Sequence, residues 1–417
     1  MILHRWRYLN KLKNFLNKDK LVLIYWPRQA WKTTLIKDFI SQNWGVYINF
    51  ETDFKIRSIP DINTFLLYLE LNFKIDKKFH WILFLDEVQF NPHIIDILKW
   101  FYDLDLNFKI VATGSWLWHL KTNQQTTGLV GRWREMFVFP FDFQEFCQAK
   151  NFDLDLLWKS KKFDLFREKV KPLLNEFLNF WWYPKVVLSS WKEEKIFQIG
   201  NIINKLIQND ITLWLQSNEI EKFENFLLEI IKQTCNFVKY ETFAREFMLS
   251  TKTVKKYLFF LEKALIIKTV SPFFTDKTKE ISSHKKMYVL DTGPISYILK
   301  YFGDKLNDWK FIETFVFTEI LKNINHQLFE IKVYKKTNKT EIDFILESYD
   351  WKLIPIEVKS WNSTSIPKAF YWFAEKYKDK INFFIKTTKN IYLEKEFIWF
   401  KIYFIPFWII GQFLKTY

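Results

Sequence analysis

Along the first third of the chain, short strand-like runs, mostly apolar, alternate with longer stretches whose apolar residues fall at helical spacing. The runs are Leu21–Tyr25, Val46–Phe50, Ile82–Leu85, Lys109–Ala112 and Met136–Phe139. A continuous apolar run suits a strand buried on both faces, and strands alternating with helices build a parallel sheet covered on both sides. The pattern predicts an α/β unit at the amino end.

Further along, the period changes. Phe226 to Ile231 is apolar at helical spacing, Tyr240 to Phe247 reads as a second short helix, and Leu249-Ser250 makes a tight turn. Thr251 to Leu258 then forms a third helix with Val254, Leu258 and Leu261 on its apolar face and Ser250 placed to cap it. A strand follows at Leu265–Val270. Helix, turn, helix, strand is the order of a winged helix-turn-helix, which would turn Thr251, Lys252, Thr253, Lys255 and Lys256 towards a DNA groove. A packing module that touches no DNA is the alternative. Nearer the carboxyl end, Glu341–Leu346 and Lys352–Lys359 read as two strands joined by a turn at Asp350-Trp351, and Phe311–Val316 is helix-like. The stretch Phe397–Leu414 is interrupted by Lys401, Pro406 and Gln412, so it predicts terminal strands rather than a membrane span.

Composition adds an inversion: 20 tryptophans against 8 glycines in 417 residues, where an average domain is about 7% glycine. The segment Trp26-Pro27-Arg28-Gln29-Ala30-Trp31-Lys32-Thr33-Thr34 follows the first strand-like run and precedes a helix-like stretch. With glycine at 26 and 31 it reads G-x-x-x-x-G-K-T, the phosphate-binding loop, whose backbone N–H groups wrap a nucleotide's phosphates. An indole at 31 would fill the phosphates' place. Either the loop is degenerate, or the codon UGA, which some bacteria read as glycine, has been written as tryptophan. The second reading explains several other tryptophans in turn-like settings, among them Trp181-Trp182 before Tyr183-Pro184, and Trp351 in the Asp350–Lys352 turn.

The third apolar run ends in Asp86-Glu87, the form of a Walker B strand. Its tip would deliver Asp86 to Mg²⁺ beside Thr33, and Glu87 would polarise the attacking water. Thr113 or Ser115, at the end of the next strand, could sense the γ-phosphate, and Lys32 would bridge the β- and γ-phosphates. Arg132 or Arg134 is a candidate arginine finger, acting in cis or towards a neighbouring subunit of a homo-oligomer. These strings, with Leu83–Gln89 and Ala112–Ser115, resemble a family of prokaryotic AAA-type P-loop ATPases that begin the loop Gly-Pro-Arg-Gln and continue to Gly-Lys-Thr. Gly131-Arg132, Phe139–Phe146 and Trp181–Pro184 also match, the last against Gly-Gly-Tyr-Pro. The resemblance extends into the C-terminal half. It implies binding of ATP and Mg²⁺, with Trp26, Pro27, Arg28, Gln29, Ala30, Trp31, Lys32, Thr33 and Thr34 lining the nucleotide together with Thr113, Ser115 and Arg132.

In the C-terminal strand pair, alternation puts Glu357 and Lys359 on one face, and a hairpin brings Asp343 near them. An Asp and a Glu sharing a divalent metal beside a lysine is the arrangement of PD-(D/E)xK nucleases, where the metal activates water and steadies the leaving oxygen. Glu313 could add a third carboxylate. Asp343, Glu357 and Glu313 are thus candidate metal ligands, with Asp343, Glu357 and Lys359 catalytic.

The formal net charge of +15, with a pI of about 9.3, points to a polyanionic partner, DNA ahead of a membrane surface. Only Cys147 and Cys235 occur, far apart, which leaves neither a disulfide framework nor a zinc cluster and fits a reducing cytoplasm. The basic start, Met1 to Asn10, has no apolar h-region behind it, so no signal peptide is expected. The expected fold class is α/β in three parts. A P-loop NTPase parallel sheet with a helical lid (1–215) is followed by a winged helix-turn-helix (216–280) and a PD-(D/E)xK nuclease-like α/β domain (281–417). ATP turnover would control what the last part does to nucleic acid. The rivals are an ATPase with a non-catalytic DNA- or protein-binding C-terminal domain, and a DNA-binding regulator whose nucleotide site is dead.

Overall fold

A computed structural model describes residues 5–25, 32–43, 45–75, 80–114, 133–161, 163, 167–180, 182–206, 215, 219–326, 328–337 and 340–416. The chain divides into two compact units, Met1–Pro140 and Phe141–Tyr417.

In the first unit, β1 (Leu21–Tyr25), β2 (Gly45–Asn49), β3 (Trp81–Asp86), β4 (Phe108–Thr113) and β5 (Arg134–Phe137) form one sheet in the order β2-β3-β4-β1-β5. Every pairing is parallel. The two-residue period of a strand divides the apolar runs between two cores. Leu21, Leu23, Tyr25, Leu83 and Leu85 face the helices Ile62–Phe73 and Ile94–Asp103, whereas Val22, Ile24, Phe84 and Val111 face the helices Trp6–Lys18 and Lys32–Gln42. Strands filled on both faces explain why the runs of β1 and of Ile82–Leu85 are continuous. The chain leaves β1, steps outward, returns through β3 and β4, and crosses to β5. The order therefore reverses at β1, and in open sheets of this kind ligands bind outside the carboxyl ends of the strands at such a switch point.

The second unit holds two sheets. A small antiparallel one has the order β6 (Asn236–Phe237), β8 (Lys286–Val289), β7 (Ile267–Val270). It packs with the helices Ile220–Lys232, Tyr240–Glu246 and Thr251–Lys263 through Phe223, Phe226, Val254, Tyr257, Ile267 and Met287. Ser250 caps the third of these helices, its hydroxyl accepting the Thr253 N–H at 3.0 Å. The larger sheet is mixed, with β9 (Phe329–Thr337), β10 (Thr340–Ser348) and β11 (Leu353–Glu357) as an antiparallel meander. From β11 it continues in parallel through β12 (Phe384–Thr388) to β14 (Phe400–Pro406), and β13 (Leu393–Phe397) closes the edge antiparallel. Strands were expected throughout Phe397–Leu414. They occupy its first half, but Ile410–Leu414 is a short buried helix. Apolar residues on every side of so short a segment leave no period to separate the two. Among the described residues, no helix is long and apolar enough to cross a membrane.

The connection from β7 to β8 does not hang free. Phe273 N–H donates to Val333 O at 2.6 Å, Val333 N–H donates to Ser271 O at 3.1 Å, and Lys332 pairs with Glu280, both buried. The two sheets are thereby stitched together along β9.

A buried acid holds a junction in the same unit. Asp291 accepts the N–H groups of Trp182 (2.8 Å) and Gly293 (2.9 Å). Burial pushes its carboxyl from 3.8 up to about 8, against the pull of Lys322 and of those two N–H groups. The native state thus keeps a proton that the unfolded chain gives up near 3.8. Stability should therefore fall as pH rises between those two values and level off above them. A plot of Tm against pH for the native chain and Asp291→Asn checks this, because the variant should lose that slope.

Candidate functional site

The carboxyl edge of the parallel sheet gathers three of the residues expected there. Asp86, 1% exposed at the tip of β3, accepts the hydroxyl of Thr113 and the Glu87 N–H (3.0 Å) on Oδ1. Its Oδ2 accepts the Tyr47 hydroxyl at 2.7 Å. Glu87 follows with φ 55°, in the left-handed region that a non-glycine residue enters at a cost. Its Oε2 accepts Gln89 Nε2 at 2.6 Å. The bend turns the chain off the end of β3. Tyr47 was missed in the sequence. Its only signal is register, since β2 and β3 run in parallel with Asn49 beside Asp86.

Lys32, Thr33 and Thr34 form the first turn of the helix Lys32–Gln42, which leads away from the β1 end. Trp26, Pro27, Arg28, Gln29, Ala30, Trp31, Ser115 and Arg132 lie outside the described residues, as do the side chains of Lys32, Thr33 and Thr34. Arg134 lies away from that edge. It begins β5 at the amino edge of the sheet, where its guanidinium pairs with Asp19 at 2.9 Å and lies over the Phe15 ring.

In the second unit, a pocket of about 430 Å³ is lined by Lys286, Glu313, Glu341, Asp343, Lys359 and Trp361. The β10–β11 hairpin forms as expected, with Phe344 opposite Ile356. One step further along, Val358 N–H donates to Asp343 Oδ2 at 2.7 Å. The Lys359 ammonium meets Glu357 Oε1 at 2.7 Å. Thr387 of β12 fastens the end of this segment, its hydroxyl accepting the Lys359 N–H (2.7 Å) and donating to Lys359 O (2.9 Å). Glu313 enters from the buried helix Trp309–Asn323, and its Oε1 accepts the Tyr288 hydroxyl at 2.7 Å. Lys286 lies 2.8 Å from Glu313 and 3.1 Å from Glu341. Asp343, Glu357, Lys359 and Glu313 are thus drawn together. Lys286, Tyr288 and Glu341 join them unannounced, because nothing in the order of residues ties β8 to β10.

Burial governs the charges. Together with the neighbouring Asp343, it pushes the carboxyls of Glu313 and Glu357 up to about 7, with Lys286 and Lys359 pulling the other way. Burial also raises the Asp343 carboxyl, opposed by the same two lysines. For Lys286 and Lys359 burial pulls downward, but the surrounding carboxylates prevail and hold both ammonium groups above their ordinary range. One acceptor is left over, since Glu357 Oε2 is buried without a hydrogen-bond partner. An orphaned carboxylate oxygen beside Asp343 fits a divalent cation. Among the described residues, no group of three His, Cys, Asp or Glu side chains stands ready to hold a metal. Mg²⁺ does not require one, being commonly bound through one or two carboxylates, with waters and phosphates completing its shell. A roomier groove of about 770 Å³ lies beside β7 and the start of β9 and contains none of the expected residues.

The tryptophans divide. Trp351 sits in the β10–β11 turn at φ 65°, 57% exposed, where glycine is the natural occupant. Trp399 lies exposed in the β13–β14 turn. Trp182 lies, as expected, in the connection between the helices Arg167–Asn179 and Pro184–Val187, and it is fully buried. It stacks on Phe177 at 4.6 Å and donates its indole N–H to Phe177 O at 2.6 Å.

A family model of an AAA domain matches residues 18–147, and models of two domains of unknown function, DUF8612 and DUF4143, match residues 172–305 and 310–408. An uncharacterised protein of Methanocaldococcus jannaschii is 26% identical over 407 residues, which cover 94% of this chain and 88% of that protein. An uncharacterised protein of Haemophilus influenzae is 25% identical over 366 residues, covering 84% and 85%. Among solved structures, the Walker-type ATPase of Pyrococcus abyssi aligns over 72% of this chain and 96% of its own, with 15% identity and a TM-score of 0.42. The ORC2 protein of Aeropyrum pernix aligns over 71% and 91%, with 11% identity and a TM-score of 0.33. Residues 18–147 match an AAA domain, built here on a five-stranded parallel sheet, and are followed by matches to two domains of unknown function.

Proposed function

We propose that this protein binds and hydrolyses ATP with Mg²⁺, and that ATP turnover controls a nuclease-like C-terminal domain acting on DNA. The observation that carries the first half is the Asp86–Glu87–Thr113 cluster at the carboxyl edge of β3 and β4, beside the β1 switch point. Asp86 holds Mg²⁺ with Thr33, Glu87 orients the water, and Lys32 and the 26–31 backbone hold the phosphates. Positions 26 and 31 are glycine in this reading. Thr113 or Ser115 senses the γ-phosphate, and Arg132 supplies transition-state charge. The three-part division at 215 and 280 belongs to the same proposal.

In the second half, Asp343 and Glu357 hold Mg²⁺, Lys359 orients the nucleophile, and Glu313 backs the site. We read the three helices and the β6-β8-β7 sheet as a winged helix-turn-helix. The outward set on its third helix is smaller than expected. Lys256 is tied to Glu219 at 3.1 Å and the Thr253 hydroxyl bonds Ser250, which leaves Thr251, Lys252 and Lys255 exposed. Replacing Lys252 and Lys255 with glutamate should weaken DNA binding, and the log–log slope of affinity against salt should flatten by about 1 for each phosphate no longer neutralised. An unchanged slope would make the three helices a packing module.

Coupling is tested by incubating the glycine-26, glycine-31 chain with plasmid DNA and Mg²⁺, with ATP, a non-hydrolysable analogue or no nucleotide. Cleavage that follows hydrolysis supports control by turnover. Cleavage indifferent to nucleotide separates the two activities, and no cleavage in any arm leaves an ATPase with a binding domain.

A further inference from the structure

We propose that the carboxylate pocket takes an unpaired strand of DNA, whose bases stack on the rings of Phe237, Trp309 and Trp361 and whose backbone meets Lys335. The inference deepens the reading of that pocket as a part of the protein that faces DNA, and rests on it. Besides its acids and lysines, the pocket is lined by these three rings. They come from separate elements: Phe237 from β6, Trp309 from the start of the helix Trp309–Asn323, and Trp361 from the segment that follows β11. Trp309 is 54% exposed and Trp361 55%, and Phe237 is half-buried. One exposed ring on a surface is ordinary, but three lining one pocket call for a flat partner. Trp351 takes a positive φ, where glycine is at home, whereas neither Trp309 nor Trp361 does, so the backbone asks for no glycine at these two positions.

Charge and size narrow the partner. The lining carries three carboxylates, Glu313, Glu341 and Asp343, against Lys286, Lys335 and Lys359. Lys286 is buried and held between Glu313 at 2.8 Å and Glu341 at 3.1 Å. Lys359 is paired with Glu357 at 2.7 Å. Lys335 differs. Its side chain is 37% exposed, and its nearest carboxylate among the described residues is Glu341 at 3.9 Å. Its ammonium lies 5.0 Å from the centre of the Phe237 ring. A cation beside a stacking ring is the pairing by which single strands are held, the ring taking a base and the ammonium the adjoining phosphate. Lys359 and Trp361 repeat it at 5.5 Å. In a duplex each base face is covered by its neighbour, so these rings meet bases only where the strand is unpaired. The volume of about 430 Å³ suits one small ligand. It admits a nucleotide and not a double helix.

The test is fluorescence anisotropy of the full chain, without nucleotide and in EDTA so that nothing is cut, against an oligothymidine strand and against a blunt duplex. Trp361→Ala should weaken binding of the strand by about 5- to 150-fold, the worth of one base on an aromatic ring, and leave duplex affinity unchanged. Trp361→Phe should restore most of the loss. Lys335→Ala should lower the log–log slope of strand affinity against salt by about 0.7, one phosphate's share, without changing the duplex slope. Equal losses for strand and duplex, or no loss for either, overturn the proposal, as does a native chain that fails to bind the strand. Glycine at 361 in peptides from the protein's own source also overturns it. Cleavage is scored separately with Mg²⁺. Strand-selective loss in a chain that never cuts keeps the proposal and removes the nuclease. Cleavage that needs Asp343, without strand-selective loss, keeps the nuclease and removes the proposal.

Discussion

With glycine at positions 26 and 31 the chain should hydrolyse ATP, and Glu87→Gln should lower that turnover by about 10²–10⁴-fold, the usual worth of a positioned general base, while ATP still binds. The expectation follows from the end of β3. Asp86 and Glu87 are adjacent but differently placed. Asp86 is buried and held by Tyr47, Thr113 and the Glu87 N–H. Glu87 is carried out of the strand by its left-handed backbone. Glutamine keeps the size of the side chain and its bond to Gln89 but cannot accept a proton from water. Binding and turnover should therefore separate. Lys32→Ala should lose both, since it removes the charge that meets the phosphates. With tryptophan at 26 and 31, neither binding nor turnover should be measurable. Peptide mass spectrometry over Leu21–Lys32 of the protein from its own source shows which residue occupies those positions. Tryptophan there sinks the ATPase assignment, whereas undiminished hydrolysis by Glu87→Gln keeps the ATPase and removes Glu87 as its base.

Asp343→Asn should reduce Mg²⁺-dependent DNA cleavage to background, and Lys359→Ala should lower it by about 10²–10³-fold, the worth of one donor aimed at developing charge. Asp343 accepts the Val358 N–H and lies beside Glu357, so it helps to hold the end of β11 as well as offering a ligand oxygen. Asparagine preserves an acceptor for that N–H, and a folded, inactive Asp343→Asn chain therefore separates chemistry from structure. Lys359 is more exposed and bonded to Glu357 Oε1. Its loss leaves the metal ligands in place and removes only the ammonium. Cleavage that survives both substitutions would mean the pocket is not the cutting site.

The nucleotide half was legible because its signals are local. Buried parallel strands print as continuous apolar runs, and an acid pair at the end of one marks the sheet edge where chemistry gathers. Glu357 and Lys359 were legible for the same reason, lying two apart at the end of β11. What escaped depends on register between distant segments. Tyr47 meets Asp86 through the pairing of β2 with β3, and Lys286 meets Glu341 through the docking of two sheets. Periodicity also overcounted. It put Lys256 on the outer face of its helix, yet Glu219 reaches across to pair with it. Arg134 looked like a finger because sequence does not say which end of a strand it occupies. The burial of Trp182 escaped because the ring that stacks on it, Phe177, lies in the preceding helix.

The stitched connection between β7 and β8 has a geometric consequence for any DNA the protein holds. In a winged helix with a loose loop, the reading helix can swivel relative to whatever follows. Here the corresponding connection is paired to Val333 and its Glu280 to Lys332, so if the three helices do form a winged helix, its Lys252–Lys255 face would be held in fixed relation to the Asp343 pocket through β9. A duplex gripped at the first would present the same phosphate to the second every time. The C-terminal unit would then act as a ruler, cutting at a constant offset from its point of attachment rather than at a chosen sequence.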